Sequence, residues 1–453
     1  VTVAAALAQA RSLAAAGEDQ AAQRAFLELL RLDPGNCAAL VELGNLALAG
    51  GYRSAARTAY TQAVALYPDN PLARVNLANV LRLDDDCAAA ALHYEAALAL
   101  APGLHEAHQG LAWVLQDTDP ERAEVHFQAG FTGHALRTQP YRGKGPGVAV
   151  LLLVAARGGN LPTQLWLDER RFAVTAIYPD FYDPAQPLPP HTLVMNAIGD
   201  ADFCAVALAR AEALLRATPA PVINRPERVG VTGRVENARR LGAIAGVIAP
   251  RTEARRASEL VADGTLRFPL LLRRPGFHTG QHFLRIEARA ALPAALAELG
   301  AEDLLAIEYL DARGADGMAR KYRVMCIGGA LYPLHLAVAR DWKIHYFSAA
   351  NAASAAYRAE EQRFLEDMPA VLGTRAMQAL GEIFATLALD YAGIDFGLAA
   401  DGSVLLFEAN ATMVVFPPPP DAVWDYRRPA ITAVLEAAAS LVLRRARNAP
   451  TSA

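Results

Sequence analysis

Apolar positions in the first 137 residues recur at helical spacing, and the whole pattern repeats every 34 residues. Pro34, Pro68 and Pro102 each close an apolar run, and Leu43, Leu77 and Leu111 keep the same step. So do Phe26, Tyr60 and Tyr94, while Leu66 and Leu100 precede their prolines at a fixed offset. Each unit predicts two helices, for example Ala38–Ala49 and Tyr52–Leu66, parted by Gly50 and Gly51. Three units are clear, and a degenerate fourth from Leu104 to about Arg137 would cover the last apolar face.

The pattern changes after Thr138–Gly147, where Pro140, Gly143, Gly145 and Pro146 predict a linker. From Val148 onward short apolar runs alternate with helical ones. Strands are expected at Val148–Val154, Val174–Tyr178, Leu193–Ile198 and Val222–Asn224, with a helix at Asp202–Thr218, as in a small doubly wound sheet. The Gly158–Gly159 turn, Asn196 and Asn224 stand at strand ends, where substrate contact and plain turn chemistry are both open readings.

The front repeat resembles the tetratricopeptide repeat in the Leu43–Gly44 pair, Ala63 and the closing prolines. It departs in lacking the early Trp and in placing Ala78 and Ala112 where Gly44 stands. The resemblance implies an all-α solenoid over residues 1–137 that takes a peptide or protein segment. Packing or dimerisation, including a homodimer, is the alternative use.

Composition narrows the partners. With 453 residues, 53% apolar and 20% charged, the chain has material for several folded domains. A net charge of −4 leaves no basic footprint for nucleic acid. The run Val148–Ala156 is about half of what crossing a bilayer takes, so no membrane span is expected. Cys37, Cys87, Cys204 and Cys326 are isolated and read as buried structural thiols in a reducing cytoplasm; no signal peptide is expected, and Asn448–Ala453 reads as a disordered tail.

The chemistry concentrates in Asp390–Asn410, DYAGIDFGLAADGSVLLFEAN, which predicts two antiparallel strands turning at Asp401–Gly402. Asp395 is expected to open the first strand. Glu408 and Asn410 share a face of the second, because alternate strand residues point the same way. Two carboxylates and an amide oxygen suit magnesium, which completes its shell with water and phosphate oxygens.

These three residues, at this spacing, resemble the metal motif of ATP-grasp enzymes, a group that includes D-alanine:D-alanine ligase, glutathione synthetase and the ribosomal-protein glutamate ligases. The resemblance covers roughly residues 147–445 and implies ATP and Mg2+ as cofactors. Arg273, ending Phe268–Arg273, and Arg234, before a helix, stand where the family has phosphate-binding lysines, and Gly276–Gly280 supplies a small-residue loop. In Leu304–Leu310, Glu308, Tyr309 and Leu310 match the adenine cradle. Arg323 in Lys321–Gly329 matches the arginine aimed at the transferred phosphate, and Arg340 or Lys343 matches a cation steadying the acyl phosphate. His345 nearby reads as structural, and Ala411–Pro420 departs from the family pattern, so the acceptor pocket does not carry over.

The implied architecture is multidomain: the solenoid, a linker at 138–147, an α/β pre-ATP-grasp domain at 148–228, and an α+β ATP-grasp fold with lobes at 229–303 and 304–447. The implied activity is carboxylate–amine ligation through an acyl phosphate, on a peptide, protein or carrier-bound carboxylate with an amine acceptor. Replacement of both lysines by arginine motivates one alternative, a nucleotide-binding scaffold that recruits partners. An ATP-grasp kinase is the other.

Overall fold

In a computed structural model that describes residues 2–276, 280–344 and 350–448, the chain divides into two compact units. Unit 1 comprises Val1–Gly147 and Phe181–Ala185; unit 2 comprises Val148–Asp180 and Gln186–Ala453.

Unit 1 is built from four helical hairpins: α1 (Val3–Ala15) with α2 (Asp19–Leu32), α3 (Cys37–Ala49) with α4 (Arg53–Leu66), α5 (Pro71–Leu83) with α6 (Cys87–Leu100), and α7 (His105–Leu115) with α8 (Pro120–Phe131). A short strand β1 (Leu136–Thr138) follows. The 34-residue step is visible in the packing. Ala22, Ala56 and Ala90 are fully buried, and so are Ala63 and Ala97, where small side chains let helices approach, while the larger Leu29 holds the matching place in the first hairpin. Asn36 and Asn70 cap α3 and α5 by accepting from Ala39 N and Ala73 N. Tyr60 and Tyr94 donate to Asn45 and Asn79 at 2.7 and 2.6 Å. Glycine is required where those rings lie. A Cβ on Gly44 would stand 2.3 Å from the Tyr60 ring, and one on Gly110 would stand 2.2 Å from that of Tyr94.

Unit 2 opens with parallel strands β2 (Val148–Leu153), β3 (Phe172–Ile177), β4 (Leu193–Asn196) and, after α9 (Ala205–Leu214), β5 (Val222–Ile223), adjacent in the order β3-β2-β4-β5. The doubly wound expectation fails between β2 and β3. Gly158 and Gly159 adopt φ of 115° and 70°, and Pro162 follows, so residues 154–171 form a coil instead of a helix. Its Trp166 stacks on Tyr391 at 5.8 Å and joins a core with Ile431, Val434 and Leu441.

Next come α10 (Pro226–Val229), α11 (Arg234–Leu241), β6 (Val247–Ile248), β7 (Thr252–Arg256), α12 (Ala257–Ala262), β8 (Leu270–Arg273), β9 (Phe283–Ile286), α13 (Leu292–Leu299) and β10 (Asp303–Glu308). Strands β7-β10-β8-β9 form an antiparallel sheet over a core of Leu260, Leu272, Ile286, Leu299 and Leu304. A third sheet follows from β11 (Ala319–Ile327), β12 (Ala330–Ala339), β13 (Tyr391–Leu398) and β14 (Val404–Asn410), with β6 at its edge, in the order β12-β11-β13-β14-β6. Helices α14 (Ala355–Glu366) and α15 (Met368–Leu387) precede β13, and α16 (Arg428–Arg447) ends the described chain.

Asn224 ties the first sheet to the third. In left-handed backbone at φ 54°, it donates to Tyr391 O at 2.7 Å and accepts from Tyr391 N at 2.9 Å, imitating a strand partner. Its own carbonyl accepts from Asn196. Both asparagines therefore act inside the scaffold. Of the four cysteines, all free, Cys204 and Cys326 are buried while Cys87 is exposed. Among the described residues no helix is long and apolar enough to cross a membrane. His345 and tail residues 449–453 lie outside the described residues.

Candidate functional site

The antiparallel register of the third sheet lines up four polar side chains. His335 on β12 pairs with Arg323 on β11, Arg323 with Asp395 on β13, and Asp395 with Glu408 on β14. Residues paired across antiparallel strands face the same way, so the row occupies one side of the sheet. Asp395 does not open β13: the strand begins at Tyr391, because apolar Tyr391, Ala392 and Ile394 are buried and Gly393 does not break it. A Cβ on Gly393 would meet Met413 at 2.4 Å, and one on Gly397 would meet Ala312 at 2.7 Å. The carboxylate is thus flanked on its strand by two positions where no side chain fits. A register shift between Asp395 and Phe396 sets Phe396 opposite Leu406, which lets Glu408 stand across from Asp395.

Both oxygens of Asp395 are engaged. Arg323 Nε lies 2.6 Å from Oδ1 and Nη2 2.8 Å from Oδ2, a bidentate pair, while Lys321 Nζ is 3.2 Å from Oδ2. Burial opposes ionisation of Asp395, which is only 4% exposed, yet the charges of Arg323 and Lys321 outweigh it and hold the carboxyl well below its ordinary range. His335 is driven the other way: burial and the neighbouring Arg323 keep its imidazole neutral.

Glu408 accepts from Arg234 Nη2 at 2.6 Å and from Asn410 Nδ2 at 3.0 Å, and Asn410 Oδ1 accepts from the backbone and hydroxyl of Thr412. Arg234 is the first residue of α11, not a residue before it; Asp202 accepts from its backbone N–H at 3.1 Å and pairs with its guanidinium at 3.3 Å. Arg273 ends β8, nearly buried, with its guanidinium 5.4 Å from the Phe283 ring centroid. Burial and the charge of Arg234 push it down to about 10, still protonated at neutral pH.

These groups border one cavity of about 710 Å³, within the range of small-molecule sites. It gathers Arg234, Arg273, Gly280, Glu308, Tyr309, Leu310, Arg323, Lys343, Asp395, Glu408 and Asn410. Its apolar part includes Leu271, Ile307 and Leu406, and its far side includes Asn160, Gly199 and Asp200 from loops of the first sheet. Gly199 must lack a side chain because Thr412, just past β14, lies where its Cβ would be, at 2.6 Å. Glu308 Oε2 accepts from Arg251 N at 3.0 Å, and Lys343 Nζ donates to Phe283 O at 3.2 Å.

Arg340 is exposed, and neither it nor Gly276 borders the cavity. Residues 277–279 of the expected Gly276–Gly280 loop lie outside the described residues. Lys321, Asp200, Asp202 and His335 were not singled out from sequence. For Lys321 the available signal was its place two residues before Arg323 on one strand, and for His335 its place on the next strand; for the aspartates there was only a position after a strand end. Among the described residues no group of three or more His, Cys, Asp or Glu side chains comes together as a metal cluster.

Against known proteins, no protein family and no curated relative matches the sequence. Among solved structures, the chain is similar over 65% of its length to 99% of the RimK domain protein ATP-grasp from Sphaerobacter thermophilus DSM 20745, with 17% identity and a TM-score of 0.42. It is similar over 29% of its length to 74% of MamA from Desulfovibrio magneticus RS-1, with 22% identity and a TM-score of 0.27. YrrB, a TPR protein with an unusual peptide-binding site, matches 28% of this chain over 66% of its own, with 20% identity and a TM-score of 0.26.

Proposed function

We propose that unit 2 is an ATP- and magnesium-dependent carboxylate–amine ligase of the ATP-grasp type, working through an acyl phosphate on a peptide, protein or carrier-bound carboxylate. The observation that carries this reading is the polar row across β12, β11, β13 and β14, facing a cavity that Arg234 and Arg273 also border. Such a cavity combines carboxylates with directed N–H donors, the requirement for a polyanion held with a hard cation.

The donor set fits magnesium in kind: two carboxylates and an amide oxygen on paired strands, with Asp395 kept ionised by its neighbours. Asp395, Glu408 and Asn410 would hold the metal, which when bound neutralises phosphate charge. Arg323 fixes the orientation of Asp395. Arg234 and Arg273 present planar guanidinium groups suited to paired contacts with phosphate oxygens. Leu271, Ile307 and Leu406 give an apolar slot for a base, and Glu308, anchored on Arg251, shapes the turn into Tyr309 and Leu310. Phosphoryl transfer asks for positioning and charge neutralisation, not a dedicated protein base, and these residues supply both. The array of unit 1 would recruit the peptide or protein partner.

Calorimetric titration of MgATP tests the site. Glu408→Gln should weaken magnesium-dependent ATP binding by about tenfold or more, the scale of one lost charge-assisted contact. Unchanged binding would sink the assignment. ADP release across a panel of amino acids and peptides, with mass analysis of products, separates ligation from phosphorylation; tight binding without turnover throughout the panel would favour a scaffold.

A further inference from the structure

The 43 basic residues of this chain are 40 arginines and three lysines, Lys144, Lys321 and Lys343. Five basic residues border the unit 2 cavity among the described residues, and two of them are lysines. Elsewhere lysine occupies one basic position in 38. A chain that uses arginine almost everywhere departs from it twice in one cavity, which points to a task for a mobile point charge instead of a planar fork. An ammonium is a compact point charge on a flexible four-carbon stem, with three donors that can be redistributed as the stem swings.

The two lysines differ in how they are held. Lys343 donates to the Phe283 carbonyl. Lys321 makes a single contact with Asp395 at 3.2 Å, and its side chain keeps 17% of its surface exposed. Two residues along the same strand, Arg323 has two nitrogens of one guanidinium edge locked onto Asp395 at 2.6 and 2.8 Å. Arg323 therefore keeps a bidentate pair on Asp395 whether or not Lys321 touches it. Lys321 can turn away from Asp395 and leave no buried carboxylate without a cation.

We propose that Lys321, rather than Arg323, supplies the cationic contact to the terminal phosphate of ATP, while Arg323 serves as the fixed counter-ion of Asp395. The proposal rests on the ATP reading of the site. A residue on the terminal phosphate distinguishes ATP from ADP, whereas a residue that only steadies Asp395 does not.

The test is titration of wild type and Lys321→Met with MgATP and with MgADP. Lys321→Met should weaken MgATP by about 10- to 100-fold and leave MgADP within about threefold. Equal weakening of both nucleotides, or of neither, overturns the proposal while leaving the ATP reading intact. A wild-type protein that binds neither nucleotide overturns the ATP reading and this proposal with it. If Lys321→Met does not fold by circular dichroism, wild type decides. With pyridoxal 5′-phosphate and borohydride as the probe, peptide mapping should find Lys321 modified, protected by MgATP and much less by MgADP. Equal protection, or no modification at Lys321, overturns the proposal.

Discussion

Units 1 and 2 bury different chemistry. Every buried charged side chain among the described residues, from Asp200 to Arg427, lies in unit 2, whereas unit 1 buries the neutral hydroxyls of Tyr60 and Tyr94. The helical hairpins hold together by repeated small-on-large contacts such as Gly44 against Tyr60, with asparagines capping the helices and satisfying the buried tyrosine hydroxyls. Unit 2 accepts the cost of buried charge and offsets it by pairing. Unit 1 should consequently respond to changes of volume, and unit 2 to removal of one member of a pair.

The largest effect is expected where a buried charge loses its counter-ion. Glu361 is fully buried and accepts through Oε2 from Arg427 at 2.6 Å, Tyr426 at 2.6 Å and Asn351 at 3.0 Å. Arg427→Met should destabilise unit 2 by about 3–5 kcal/mol, read as a shifted urea transition that leaves the unit 1 transition in place. A shift within error would show that Tyr426 and Asn351 suffice.

In unit 1 the sharper probe is Gly110→Ala. An isolated helix would gain about 1 kcal/mol from this change. Here the new Cβ meets the Tyr94 ring at 2.2 Å, so a net loss of about 1–3 kcal/mol is expected by thermal unfolding. A gain would mean that α6 and α7 can part freely and that the repeat packing is loose.

Acidification gives the smallest effect. Burial lowers the folded-state values of His93 and His126 in unit 1 and of His335 in unit 2. The unfolded chain then binds more protons below about pH 6.5, so both units should lose stability as pH falls from about 7 to 5. Asp395 has the opposite character: its contribution persists until pH falls through its depressed folded value, well below about 4. Melting curves that rise between pH 7 and 5 would contradict neutral burial of these imidazoles.

The contrast also explains what could be read in advance. The 34-residue step shows directly in Pro34, Pro68 and Pro102, because each hairpin meets only neighbours in sequence. Asp395, Glu408 and Asn410 were legible because one hairpin brings them together. The partners of those acids were not. Arg323 meets Asp395 across 72 positions and Arg234 meets Glu408 across 174, and a single sequence has no periodicity that links such pairs. The turn at Gly158 and Gly159 was legible from the glycine pair, and both residues adopt positive φ.

The Asn224 clamp bears on motion. Tyr391, its partner, begins the strand that carries Asp395, and Thr412 packs onto Gly199 just beyond the strand that carries Glu408. Both acidic strands are thereby moored to the parallel sheet, which would leave opening and closing of the cavity to the β7-β10-β8-β9 sheet. That sheet carries Arg273 and Glu308, so a hinge there would bring the cation at 273 to a stationary acidic wall with each cycle of ligand entry and release.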